Sequence, residues 1–226
     1  MNVILFDIDG TLIRCGGAGL HALLVVMREE FGVEDPQPVP VHGCTDQGIV
    51  RELFRANGVT YTEDRWSKFM SLYLECLELE LTRSKGHVLP GVQTLLESLG
   101  KQRDLYLGLL TGNVKRGAEI KLDRFGLRHY FRGGGFGDHH PLRDDVARAA
   151  RKQVEEELGQ KISEESLWVV GDTPADVQCG RAIGARVVAV CTGGSDRADL
   201  EPSAPDFLLN DLTECQAWLD EIQRGA

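Results

Sequence analysis

The stretch Val3-Ile4-Leu5-Phe6-Asp7-Ile8-Asp9-Gly10-Thr11 opens with four apolar residues and then meets two acids and a glycine. A short, partly β-branched apolar run that stops at a turn reads as a buried strand. Asp7 and Asp9 are two residues apart, so on regular strand geometry both leave the strand end on one face. Gly10 permits the sharp turn that follows. Two readings stand side by side. The acids form a turn cluster, or one is a nucleophile and its neighbour a general acid/base. A calcium loop is excluded, because the later acidic ligands, the bidentate Glu among them, are absent.

Working outward, similar runs recur. Leu105 to Leu110 stops at Thr111-Gly112, Leu167 to Val170 stops at Gly171-Asp172, and Arg186 to Val190 stops before Thr192-Gly193-Gly194. Phe207-Leu208-Leu209 is a weaker strand, and Tyr130-Phe131 before Gly133-Gly134-Gly135 reads as another short one. Between them, Val92 to Leu99, Val114 to Phe125, Asp144 to Leu158, Ala175 to Ile183 and Leu212 to Ile222 repeat apolar residues every three or four positions, the helical period. Gly126 and Gly159 stand where helix C-caps are expected. Strand alternating with helix predicts an α/β fold, a Rossmann-like parallel sheet with helices on both faces. The ligand site of such a sheet lies beyond the carboxyl ends of its strands.

The alternation breaks between Gly16 and Gly86. Leu20 to Phe31, Asp46 to Asn57 and Glu63 to Leu81 all read as helices, and a Pro-rich link at 35–40 separates the first two. The expected organisation is a core of residues 1–15 and 86–226 with a small helical insertion at 16–85.

Composition narrows the function classes. The 226 residues are 42% hydrophobic and 27% charged, which suits a globular chain with a full core and excludes wholesale disorder. With 25 Lys+Arg against 35 Asp+Glu the net charge is −10, so no basic field draws nucleic acid or an anionic membrane surface. No apolar run reaches the ~18 residues of a membrane helix. The opening Met1 to Phe6 has no basic leader, and the six cysteines form no C-x-x-C pair. Reduced thiols in a cytoplasmic protein are therefore the expectation. The sequence carries no signal for an oligomeric state.

The chemistry-bearing residues follow the strands. Asp7, Asp9, Gly10 and Thr11 follow the first, Thr111, Gly112 and Asn113 the second, and Asp172, Thr173 and Asp176 the Leu167 strand. Parallel topology brings these groups to one sheet edge. Carboxylates packed there repel unless a hard cation separates them, and Mg²⁺ suits oxygen donors together with substrate phosphate.

Asp7-Ile8-Asp9-Gly10-Thr11, Leu109 to Asn113 and Val170 to Asp176 together resemble, in order and separation, the motifs of the haloacid dehalogenase superfamily of phosphatases. The likeness to its phosphoglycolate-phosphatase-like branch spans nearly the whole chain. It implies a phosphatase acting on a small phosphate monoester. Asp7 is implied as nucleophile, Asp9 as general acid and then base, and Thr111 as phosphoryl donor. Gly10, Gly112 and Asn113 are implied around the phosphoryl group. Asp7, the Asp9 carbonyl, Asp172 and Asp176 are implied around Mg²⁺, the last directly or through water. A sugar-phosphate mutase of the same superfamily and a non-catalytic phosphoryl-binding module are the alternatives. Dehalogenation is disfavoured because Asp9 is present.

The third motif of that family is commonly Lys then Pro. Here Asp138-His139-His140-Pro141-Leu142-Arg143 precedes the helix, so Arg143 is the expected cation, with Lys115, Lys121 and Lys152 as alternatives. His139 and His140 read as exposed loop histidines. The inserted helices resemble the family's helical cap, and His42-Gly43-Cys44-Thr45-Asp46 is close to a Gly-x-Thr-Asp signature that often has Lys or Arg where Cys44 stands. Thr45 is expected at the leaving group or, equally, as a helix N-cap. Arg51, Arg55, Arg65 and Lys68 are either second-phosphate donors or solvated helix faces.

Overall fold

The computed structural model describes residues 1–224. Six strands form a parallel sheet: β1 (Asn2–Phe6), β4 (Leu105–Leu110), β5 (Gly134–Gly135), β6 (Leu167–Gly171), β7 (Arg186–Val190) and β8 (Phe207–Leu209). Their order across the sheet is β5-β4-β1-β6-β7-β8. Alternation along each strand divides its side chains between two cores. Ile4, Phe6, Trp168 and Val170 pack on one face against α4 (Val92–Leu99), α5 (Lys115–Arg124) and α9 (Gln216–Arg224). Val3, Leu5, Leu167 and Val169 pack on the other against α6 (Arg143–Leu158) and α7 (Pro174–Ala182). A short helix, α8 (Arg197–Leu200), completes that side.

The order β4-β1-β6 makes the three motif-bearing strands immediate neighbours. Phe6 pairs with Leu109 on one side and with Val170 on the other. Strands lie about 4.8 Å apart, so Thr111, Asp7 and Asp172 emerge side by side from one edge.

Residues 16–85 contribute α1 (Ala18–Phe31), α2 (Asp46–Ala56) and α3 (Glu63–Arg83). Their apolar faces close a third core around Met27, Phe54, Phe69 and Leu77, and Val114 and Ile120 at the start and middle of the α5 segment pack into it. The chain enters and leaves this unit through a small antiparallel ribbon, β2 (Ile13–Arg14) with β3 (His87–Val88).

Two elements depart from expectation. The strand expected at Tyr130-Phe131 is at Gly134–Gly135; Arg128–Tyr130 is a 3₁₀ turn. The backbone of Arg132 and Gly133 is already bonded to Leu107 and Leu109. Only glycine fits next, since a Cβ on Gly135 would stand 2.5 Å from the carbonyl oxygen of Val146 on α6. The helix expected at Leu212 to Ile222 is a 3₁₀ turn at Leu212–Glu214 followed by α9.

Candidate active site

Asp7 follows β1 directly and is buried. Its Oδ1 lies 3.0 Å from Nη2 of Arg143, and the same nitrogen also contacts Oδ1 of Asp176. Arg143 opens α6, so the cation expected at the third motif reaches the first-strand acid. Burial pushes the Asp7 carboxyl up to about 6; Arg143 pulls it down, while Asp176 and Asp9 push it up. The Lys152 ammonium pairs with Glu156, and Lys115 bonds Asp138 only through its backbone N–H; neither lysine makes a salt bridge to Asp7, as Arg143 does.

Asp172 is buried at the end of β6. Its Oδ1 accepts from the Thr11 hydroxyl at 3.0 Å and its Oδ2 from the Gly194 N–H at 3.2 Å. Burial, then Asp176 and Asp7, hold its carboxyl well above the usual range. Gly10 has φ +90°, and a Cβ there would stand 2.5 Å from Oδ2 of Asp172. Glycine thus serves both the turn and the close approach of the two loops.

Asp7, Asp172 and Asp176 bring carboxylate oxygens within 4.8 Å of one another. A buried, all-oxygen set in which the Asp7 and Asp172 carboxyls are pushed up fits a hard divalent cation, which removes the like-charge cost. The positions differ in availability. Both oxygens of Asp176 are engaged: Oδ1 by Arg143, Oδ2 by the N–H groups of Asp172 and Thr173 and by the Thr173 hydroxyl. Thr173 and Asp176 form a capping box on α7. That leaves Asp7 and Asp172 better placed than Asp176 to offer an open lone pair.

The Asp9 carboxylate turns away from this trio. Its Oδ2 accepts from Nζ of Lys121 at 2.6 Å and from Nδ2 of Asn113 at 2.8 Å, and Oδ1 faces the Cys15 thiol at 3.5 Å. Burial alone would raise this carboxyl; Lys121, Asn113 and Cys15 outweigh it and hold it below its ordinary value. Asn113 closes the triangle by accepting from Lys121 at 2.6 Å. Its amide also donates to Oγ1 of Thr111 at 2.8 Å. Thr111 therefore accepts through its oxygen and keeps its own O–H for a ligand.

The sequence motifs offer Lys121 only as an alternative to Arg143 and do not pair it with Asp9. A signal exists: Lys121 stands three residues after Ala118 and four after Gly117, on the buried stripe of α5. A charge on such a stripe has a buried partner or a function.

The 42–46 segment lies over the sheet edge. Asp46 N–H donates to the Gly112 carbonyl at 2.7 Å, and Asp46 Oδ2 accepts from Val114 N–H at 2.8 Å. Thr45 is the N-cap of α2, accepting from Gly48 N–H, and its hydroxyl donates to the Pro141 carbonyl. The helix-cap alternative is thus the one the structure shows. Arg55 pairs with Glu52, Lys68 with Glu30, Arg51 stacks on Tyr61, and Arg65 holds the Thr60 carbonyl. These four line no part of the cavity over Asp7, which measures about 680 Å³ and is bounded by both the sheet edge and the inserted helices. Among the described residues no helix is long and apolar enough to cross a membrane.

Known proteins resemble this chain in sequence and in fold. A phosphoglycolate phosphatase of Synechococcus elongatus is 29% identical over 99% of this chain and 100% of its own length. Pyrophosphatase PpaX of Bacillus cereus is 25% identical over 100% and 99%. The crystal structure of CbbY from Rhodobacter sphaeroides in complex with phosphate superposes on 97% of this chain and 100% of that one, with a TM-score of 0.78 at 18% identity, which shows a common fold. Residues 4–190 match the family model of the haloacid dehalogenase-like hydrolases, and the chain belongs to that family.

Proposed function

We propose that the protein is a Mg²⁺-dependent phosphomonoesterase of small phosphate esters, with residues 1–15 and 86–226 as core and 16–85 as helical cap. The observation that carries this is the setting of Asp7: a buried carboxylate at the end of the central strand, paired to Arg143, with the unspoken-for O–H of Thr111 one strand away. Such a carboxylate can attack phosphorus, and the surrounding donors neutralise the charge of a loose phosphoryl transition state.

In this reading the P–O bond to the leaving alcohol breaks as Asp7 bonds to phosphorus, and Asp9 gives the alkoxide its proton. Asp9, now ionised, takes a proton from water, which attacks the aspartyl phosphate and frees Asp7 and inorganic phosphate. Arg143 and Thr111 hold the phosphoryl oxygens, helped by the backbone N–H of Gly112, while Asn113 orients Thr111 and Asp9; the Gly10 N–H is already given to the Ile13 carbonyl at 2.8 Å, so Gly10 serves the turn and not the phosphoryl group. Asp7, Asp172, the Asp9 carbonyl and, through water, Asp176 would hold Mg²⁺, which supplies charge neutralisation between carboxylates and phosphate.

The relatives named phosphoglycolate phosphatase and pyrophosphatase support phosphate chemistry over a binding role. The cap cations weighed for a mutase's second phosphate are engaged on the surface, which favours hydrolysis. Release of inorganic phosphate from p-nitrophenyl phosphate and phosphoglycolate with Mg²⁺ is the test. Activity that survives in Asp7→Asn would sink the reading.

A further inference from the structure

The β2–β3 ribbon has two unlike faces. Ile13 is fully buried, and its cross-strand partner Val88 packs against the same core. Arg14 and His87 are the other directly opposed pair, so their side chains leave the ribbon together on the face away from that core. Lys85 stands two residues before His87, in line with the same face. All three are exposed and all three bound the cavity over Asp7.

The Arg14 and Lys85 cations, with the His87 imidazole beside them as a further N–H donor, differ from the cations at the cavity floor. Lys121 is engaged by Asp9, and Arg143 by Asp7 and Asp176. Among the described residues Arg14, Lys85 and His87 pair with no carboxylate within 4.0 Å. Arg14 is nonetheless fixed in place: Nε and Nη2 donate to the Thr192 carbonyl at 3.1 and 2.8 Å, and Nη2 also reaches the Gly193 carbonyl at 3.3 Å. Neutral carbonyls hold the guanidinium without cancelling its charge, and Nη1 keeps its donors. The same turn supplies the Gly194 N–H to Asp172, so this cation is anchored to the loop that backs the reacting end.

The inserted segment also gives the cavity apolar lining at Leu20, Leu23, Val41 and Ile49. A volume of about 680 Å³ lies in the range that holds a ligand of drug size, well beyond a two-carbon acid. Cys44 supplies no cation from the cap side. The basic face of the ribbon is where this protein offers one.

We propose that the substrate's leaving alcohol carries a second anionic group, a carboxylate or phosphate, bound by Arg14, Lys85 and His87 while its carbon skeleton lies along Leu20, Leu23 and Ile49. The proposal rests on the phosphomonoesterase reading and narrows it to bis-anionic esters longer than phosphoglycolate. Exposed cations act weakly one by one and are screened by salt. On a chain of net charge −10 a local basic mouth also steers anions to the site.

The test pairs esters with and without a second anion: 6-phosphogluconate against glucose 6-phosphate, which also differ in ring form, and fructose 1,6-bisphosphate against fructose 6-phosphate, which differ in the second phosphate alone. Wild-type protein with Mg²⁺ should favour the charged member of at least one pair by tenfold or more in kcat/KM, through KM, and less at high salt. The favoured pair identifies the anion. Arg14→Gln/Lys85→Gln should bring that ratio towards one, and Lys85→Glu, which removes no hydrogen bond of the fold, should lower it further. A ratio near one in wild type for both pairs, or a ratio unmoved in the variants, overturns the proposal.

Calorimetric titration of the same four esters into Asp7→Asn, with and without Lys85→Glu, reads the subsite independently of turnover. Preserved discrimination there, together with no phosphate release by wild-type protein from any ester, p-nitrophenyl phosphate included, would refute the phosphatase reading and keep the subsite. Turnover without discrimination would refute the subsite alone.

Discussion

The ammonium of Lys121 lies 2.6 Å from Oδ2 of Asp9, and Asn113 bonds both partners. The nitrogen is buried, whereas the Asp9 carboxylate is partly open to the cavity. The pair favours ionised Asp9, the form that would activate water in the proposed mechanism, and opposes the protonated form that would serve the leaving alcohol. Under that proposal Lys121 biases Asp9 towards the second of its two roles. Removing the charge in Lys121→Met should raise the Asp9 pKa, because burial is then uncompensated. The expected outcome is a kcat that falls more at pH 6 than at pH 8, with the acid limb of the kcat profile moved up in pH. Superimposable profiles for wild type and variant would show that Lys121 only supports the fold.

Arg143 joins Asp7 to Asp176, and its side chain is only 8% exposed. Arg143→Ala should lower kcat/KM by at least 10²-fold, about 2.7 kcal/mol, the scale of one lost charge-stabilising donor. It should also lower Tm, since breaking a buried pair leaves uncompensated carboxylates. Arg143→Lys should recover part of both losses, as charge returns without the planar fork. Steady-state kinetics and thermal melts of the two variants check this; wild-type kinetics in Arg143→Ala would exclude the role.

The acidic trio predicts metal-linked stability. A cation at 100 times its Kd adds about 2.7 kcal/mol by mass action. For a chain of this size that is about 5–10 °C in Tm. Mg²⁺ should therefore raise the melting temperature of wild type, and Asp172→Asn should erase the rise. A rise of equal size in Asp172→Asn would place the cation elsewhere.

The core was legible because its signals are strong and local. Val3 to Phe6 and Leu167 to Val170 are apolar runs broken by turn residues, and the acids at their ends needed only parallel topology to meet. Arg143 was legible through family resemblance, from its place before α6. The ribbon was not, because two-residue strands carry no periodicity. β5 was not, because two glycines offer no apolar signal and the neighbouring Tyr130-Phe131 offered a false one. Lys121 is legible only as an alternative cation and Asp46 only as part of the cap signature, and the partners of both were hidden for another reason. Each partner, Asp9 for one and Val114 for the other, lies on a distant segment that only the fold brings beside it.

Asp46 supplies a pH test away from the acidic trio. It is buried, and burial pushes its carboxyl up to about 6, with Lys121 and the Val114 N–H pulling it back and Asp9 and Asp138 adding to the rise. The ordinary value is 3.8. Between those two values the folded protein binds more protons at this position than the unfolded chain does, so stability rises as pH falls from about 7 towards 4. The full span is about two pK units, on the order of 3 kcal/mol. Asp46→Asn keeps an oxygen for the Val114 N–H but removes the titrating charge. The variant should be more stable than wild type near pH 7.5, and the difference should shrink as pH falls through 6. Urea denaturation in the presence of chelator, compared at pH 7.5, 6 and 5, measures it. A difference that stays constant across the three pH values would mean that Asp46 keeps its ordinary titration, and that the bond to Val114 compensates its burial in full.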